Sequence, residues 1–165
     1  DQVFQKQFDY FKLFDQALIY TPGDNDWTDC HRFPGLFSDP IERLDALRHR
    51  FFSNKESLGK KPLSVDRQSL SSVQYSAYSE NQRWIYEGVL FVTLHIVGSN
   101  NNYDPKRKNP KNYAEFSARD DANVAWIRSA FQLAEENNLK AIIFAFQADV
   151  FNEKRLNELF PASSG

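Results

Sequence analysis

The chain has 165 residues, of which 41% are apolar and 25% charged, with 20 Lys and Arg against 22 Asp and Glu. That length fits one domain with a substantial core, and the composition excludes intrinsic disorder and any global pull toward nucleic acid or anionic membrane. One cysteine excludes an internal disulfide framework and a multi-cysteine zinc site; the longest apolar run, Val89 to Val97, is interrupted by Thr93 and His95 and is far too short to span a bilayer.

Val3 to Phe14 reads as an amphipathic helix, with Phe4, Phe8 and Phe11 on one face. Ala17 to Thr21 reads as a short buried strand ended by Pro22-Gly23. A polar loop, Gly23 to Gly35, follows. Asp39-Pro40-Ile41-Glu42 starts a helix: Asp39 caps, Pro40 suits the first position, and Glu42 sits where a capping box needs it. Leu44, Leu47 and Phe51 then form its buried face. Ser53 to Ser79 predicts a long polar excursion with a short strand or two. Arg83 to Tyr86 and Val89 to Val97 predict a hairpin turning at Glu87-Gly88, the second strand being central.

Gly98 to Lys111 reads as a loop. Asn112 to Asn138 holds the longest helix, with Ile127, Ala130, Phe131 and Ala134 as its buried stripe. Ala141 to Phe146 is a second buried-strand run, a short helix is expected over Glu153 to Phe160, and 161–165 reads as a flexible tail. The order of elements predicts an α/β (α+β) fold in a single domain over 1–165, with helices packed on a central mixed sheet and sites just beyond the carboxyl ends of its strands. No signal peptide opens the chain, and the compartment is left open. There is no methionine, which predicts a processed product or a piece of something longer. With 15 Phe, 7 Tyr and 3 Trp, the core is expected to be aromatic.

The densest chemistry lies in Gly23-Asp24-Asn25-Asp26-Trp27-Thr28-Asp29-Cys30-His31-Arg32. Hard cations take Asp and Asn oxygens, and borderline ones also accept His nitrogen. The alternative is a turn whose Asp and Asn side chains bond their own backbone. An EF-hand fails, because the twelfth position is Gly35. A Cys30-His31 nucleophile pair fails, because neighbours on an extended chain face opposite ways. A second cluster, Gly98-Ser99-Asn100-Asn101-Asn102, tolerates left-handed backbone and can form an anion nest, or is simply a flexible loop. His95 reads as a core histidine. Gln147 and Asp149, after the last strand, reach the Asp24 crevice if their strands are neighbours; otherwise they are a polar strand end. Lys106 to Lys111, flanked by Tyr103 and Tyr113, reads as a solvated loop more readily than as a single-strand binder. Arg119, Asp120, Asp121 and Asn123 are either exposed helix residues or hydrogen-bonding supports of the Gly98 loop.

The run Ile19-Tyr20-Thr21-Pro22-Gly23-Asp24-Asn25-Asp26-Trp27-Thr28-Asp29-Cys30-His31-Arg32 resembles the third signature block of calcineurin-like metallophosphoesterases, in the bacterial-type branch that carries Gly-Asp-Asn-Glu-Trp-Thr-Asp-Cys. Phe91 to Asn101, Ala122 to Ile127 and Phe146 to Asp149 match that branch too, so the resemblance runs from the first helix to about Phe151. It implies a β-sandwich flanked by helices, with metal held at strand ends, and phosphate-ester hydrolysis by metal-bound hydroxide. Carried over by position, Asp24 and Gln147 would hold metal (manganese, iron or zinc), and Asn25 would stand where a histidine assists the leaving group, with Asp26 where an acidic residue orients it. By their own chemistry, His31 beside the Asp24 carboxylates is a further candidate metal ligand, and Ser99, Asn100, Asn101 and Asp149 are candidate ligand-binding residues. Asn25 cannot act as a general acid, because its amide has no useful pKa. The family's Asp-x-His/Gln and Gly-Asp blocks are expected before Asp1, and its Gly-His-x-His block after Gly165, so the chain reads as the middle of such a domain. The expectations are a metal-dependent phosphoesterase, or a fragment of one, and alternatively a catalytically inactive module of that fold. The expected partners are a phosphate ester and, through an unpaired sheet edge, a second chain or copy.

Overall fold

The computed structural model describes residues 2–29, 39–103 and 109–150. Helix α1, Gln2–Phe11, buries Phe4 against helix α2, Pro40–Phe51. The predicted start of α2 is formed: Pro40 opens the helix and the Asp39 carboxylate accepts the Ile41 N–H at 2.8 Å. Leu44, Leu47 and Phe51 are its buried face. Between the two helices lies an aromatic cluster of Phe4, Phe8, Phe11, Phe51, Phe52 and Tyr20, with Tyr20 and Phe52 stacked at 5.6 Å.

Ala17 to Thr21 is not a strand. Leu18 makes a single antiparallel bridge to Leu58, each N–H donating to the other's carbonyl. Gln82 Nε2 donates to the Tyr20 carbonyl, and the Thr21 hydroxyl reaches the Leu94 carbonyl.

Strand β1, Asp66–Arg67, leads into the short helix α3, Gln68–Ser71. Strands β2, Gln82–Tyr86, and β3, Val89–Thr93, form the predicted hairpin. Its turn residues Glu87 and Gly88 both have positive φ, 48° and 81°, as a tight two-residue hairpin requires. The long helix α4, Pro110–Glu136, connects β3 to β4, Ala141–Ala145, which runs parallel to β3. The sheet order is β1-β2-β3-β4, with antiparallel pairing up to β3.

Helix α4 covers one face of the sheet. Leu90, Val92, Leu94, Ile142 and Phe144 pack there against Trp126 and Ala130. Of the predicted stripe of α4, Ala130 is buried and Ile127 and Ala134 pack half-buried against the core, while Phe131 is 57% exposed; the buried face also takes in Arg119, Ala122, Asn123 and Trp126. Apolar periodicity could not register a stripe with two polar members, since these are buried only because other segments supply their partners. Strand β4 also departs from expectation. Ala141, Ile143 and Ala145 are exposed and Ile142 and Phe144 half-buried, so it is not a buried strand, and among the described residues it lies at the end of the sheet. The expected helix over Glu153 to Phe160 and the tail lie outside the described residues. No described helix is long and apolar enough to cross a membrane.

Candidate functional site

Strand β3 stops at Thr93, four residues short of the predicted Val97, for a reason that bears on the site. The His95 N–H is taken by Asn81 Oδ1, and its carbonyl by Arg119 and Asn123 of α4. Side chains therefore replace the ladder. Leu94 and Ile96 still hold the β4 end, through Leu94 N–H to the Ala145 carbonyl and Ala148 N–H to the Ile96 carbonyl. The chain then enters one helical turn, Gly98–Asn101, in which Ser99, Asn100, Asn101 and also Asn102 are left-handed, with φ of 51°, 57°, 54° and 66°. Asparagine tolerates this region better than most residues, but four in a row need external support.

That support comes from Arg119. Its guanidinium is fully buried and donates to the His95 carbonyl, to both oxygens of Asn101 and to the Glu115 carboxylate. Asn101 Oδ1 also accepts the Val97 N–H, and Glu115 accepts from Asn102 Nδ2. Of the two expectations for the start of α4, Arg119 is a support of the loop, Asn123 is buried and holds the His95 carbonyl ahead of it, and Asp120 and Asp121 are exposed.

The turn brings Ser99 to the Asp24 loop. Ser99 Oγ lies 2.9 Å from Asp29 Oδ2 and 3.3 Å from Asp24 Oδ2, so one hydroxyl proton is shared between two carboxylates. Asp24 begins a 3₁₀ turn, Asp24–Asp26. Its carbonyl accepts from Trp27 N–H, Asp29 N–H and the Thr28 hydroxyl. Trp27 is wholly buried with Leu44 and Val97 and anchors the loop.

Gln147, just past β4, closes the corner. Its Oε1 accepts the Gly98 N–H at 2.7 Å and its Nε2 faces Asp24 Oδ1 at 3.3 Å. The approach is close enough that a Cβ on Gly98 would stand 2.4 Å from Asp24 Oδ2. Asp24, Ser99 and Gln147 thus meet beyond the carboxyl ends of β3 and β4.

The other sequence candidates lie elsewhere. Asn25 is exposed. The Asp26 carboxylate accepts the Gly23 N–H and faces the Tyr20 hydroxyl, which burial and then that carboxylate push far up. Asn100 and Asp149 are exposed, and the Asn101 side chain is turned inward to Arg119. His31, Cys30 and Lys106 to Lys108 lie outside the described residues.

Behind the corner lies a buried polar network that hydrophobic patterning missed. Arg48 grips Glu80 with two bonds, of 2.6 and 2.9 Å. His95 Nδ1 sits 2.7 Å from Glu80 Oε1, and among the described residues its Nε2 has no hydrogen-bond partner. Burial alone would raise Glu80. The Arg48 cation and the His95 hydrogen bond outweigh it and hold the carboxyl well below the usual range. Burial, then the Arg119 cation, push His95 down, so it is a neutral imidazole donating through Nδ1. The His95 and Arg119 groups both contact the Trp27 ring, joining this network to the Asp24 loop.

The donor chemistry decides what the corner can hold. The Asp24 carboxylate suits a hard cation. Gln147 as placed does not serve as a ligand, because its oxygen is engaged by Gly98 and its amide nitrogen faces Asp24. Among the described residues no group of three or more His, Cys, Asp and Glu could hold a metal ion. The described residues alone therefore do not fit a metal centre. Comparison of this chain with protein-family models, with curated proteins and with solved structures returns no match.

Proposed function

We propose that this chain carries part of a metal-dependent phosphoesterase site, in which Asp24 contributes one ligand and the remaining ligands come from outside the described residues. The observation that carries this reading is the convergence of Asp24, Ser99 and Gln147, from three distant segments, at the carboxyl ends of parallel β3 and β4. The resemblance of the Gly23 to Arg32 run supports the same class. A divalent cation bound there would supply a hydroxide nucleophile and neutralise charge developing on phosphate. This chain's own residues present the Asp24 oxygens, hold them with Ser99 and Gln147, and keep the loop in place through Trp27.

A second reading, an inactive module that binds a ligand through the same corner, is favoured by two features. Gln147 Oε1 is engaged by Gly98, and Asn25 offers no titratable group. Elemental analysis after purification in buffer containing manganese, iron and zinc, paired with hydrolysis of an aryl phosphate, separates the two. The first reading expects bound metal and metal-dependent turnover, both lost in Asp24→Asn. Neither metal nor turnover in the parent chain would leave the second.

A further inference from the structure

The two ring nitrogens of the buried His95 are in opposite situations. Nδ1 donates to Glu80, while Nε2 has no hydrogen-bond partner among the described residues. The Trp27 ring stands against the imidazole in a T-shaped contact, centroids 5.3 Å apart, and its indole N–H is likewise buried without a partner among the described residues. Buried polar groups are rarely left unpaired, so two that adjoin call for an explanation.

The charged groups facing the imidazole come from three elements. Glu80 lies before β2, Arg48 on α2, and Arg119 on α4 with Glu115 beside it. The fourth wall is the 3₁₀ turn that presents Trp27, its Asp24 and Asp29 carboxylates being turned to Ser99. Arg48 and Glu80 are locked by two bonds, and Arg119 is locked by its bonds to Glu115, Asn101 and the His95 carbonyl. The turn is the weak wall. Asn25 is exposed and Asp24 and Asp26 half-buried, and Trp27 packs with Leu44 and Val97 in a small cluster apart from the β3–α4 core.

We propose that His95 is an acid-operated latch on the Asp24 turn: a proton on Nε2 releases Trp27, and with it the Asp24 corner, while the sheet and α4 stay folded. In the closed form that proton makes a buried N–H without an acceptor, on a ring already facing two guanidinium groups. The Glu80 carboxylate, shared with Arg48, offsets only part of this. Moving Trp27 aside gives water to both unpaired groups, and the indole gives up no hydrogen bond to move. The latch works whatever the corner binds. Each opening takes up one proton, so below the ordinary histidine value of 6.5 the open fraction rises about tenfold per pH unit.

Hydrogen exchange at the Trp27 indole, followed by NMR on the full chain in increasing urea, tests this. From pH 6.5 to about 5, above the ordinary carboxylate range, its protection is expected to fall about tenfold per unit. It should depend weakly on urea, because the opening is local, whereas β3 amides should open only in the steeply urea-dependent global transition. His95→Gln removes the titrating group and is expected to abolish the pH slope; His31→Gln and His49→Gln are expected to keep it. The slope is read within each variant, so a general loss of stability does not mimic it. In the parent, without any variant, the His95 ring and Trp27 indole resonances are expected to change together at one midpoint below 6.5 while far-UV circular dichroism holds. Trp27 exchange confined to the global transition overturns the proposal. So does protection that ignores pH, a slope that survives His95→Gln or is lost in His31→Gln, or resonances that change only as the circular dichroism is lost.

Discussion

Replacing Arg119 by Met tests how the left-handed turn is held. Met keeps most of the side chain's length and apolar volume and removes only the guanidinium. Four acceptor groups lose a donor: the Glu115 carboxylate, the His95 carbonyl, and the carbonyl and side-chain oxygen of Asn101. The His95 carbonyl keeps Asn123, and Asn101 Oδ1 keeps the Val97 N–H. The Glu115 carboxylate, with its side chain only 11% exposed, is the main loss. Breaking a buried pair by removing one partner costs about 3–5 kcal/mol. Against a total stability of roughly 5–15 kcal/mol, that is a large fraction. For a chain of this size it corresponds to a fall in Tm of about 6–20 °C. Thermal and urea unfolding measure the loss. Native-state hydrogen exchange at the Val97 amide, whose acceptor is Asn101, reports whether the turn is released. Arg119→Lys keeps the charge beside Glu115 but cannot span the other acceptors, so it falls between. A Met variant that loses less than about 1 kcal/mol, or keeps full Val97 protection, refutes the reasoning.

Acid should act in two steps. His95 is held below its ordinary value of 6.5, so the unfolded chain takes up a proton there that the native state refuses, and stability is lost as pH falls through that value. Glu80 is held below its ordinary value of 4.5, so its contribution is present above that value and a second loss begins beneath it. Urea midpoints measured from neutral to acid pH should show both steps, with His95→Gln flattening the upper one; a flat profile through the histidine range contradicts the assignment of a buried neutral imidazole. Asn100, exposed and left-handed, supplies a backbone test. Asn100→Gly should be neutral or stabilising by about 0.5 kcal/mol and Asn100→Val destabilising by about 1–2 kcal/mol, and equal stabilities would mean that the turn carries no strain.

Much of the framework was legible because its signals are local. The α2 start is a capping aspartate followed by proline, and both act within one turn of chain. The β2–β3 hairpin announces itself by two apolar runs around a residue pair that accepts positive φ. The Phe4, Phe8 and Phe11 spacing places one face of α1 whatever it packs against. The Asp24 loop stood out because its polar side chains are crowded within a few residues, and the turn chemistry of Asp and Asn is written into those residues.

Tertiary structure decided the rest. Ala17 to Thr21 has the composition of a strand, but it makes only the Leu18–Leu58 bridge, and the Gln82 side chain takes the Tyr20 carbonyl. Phe131 belongs to an apolar run and stays exposed, because α4 turns Arg119, Asn123 and Trp126 toward the sheet. For Arg119 the sequence left an exposed face and a support of the Gly98 loop both open, and folding decided for the support; its burial, like that of Glu80, is made possible by Glu115, His95 and Arg48. Ser99 meets Asp24 across 75 positions of chain, and Gln147 meets it across 123. Periodicity weighs each side chain against water alone. A buried charge is set by its partner, and the partner's position exists only once the chain has folded.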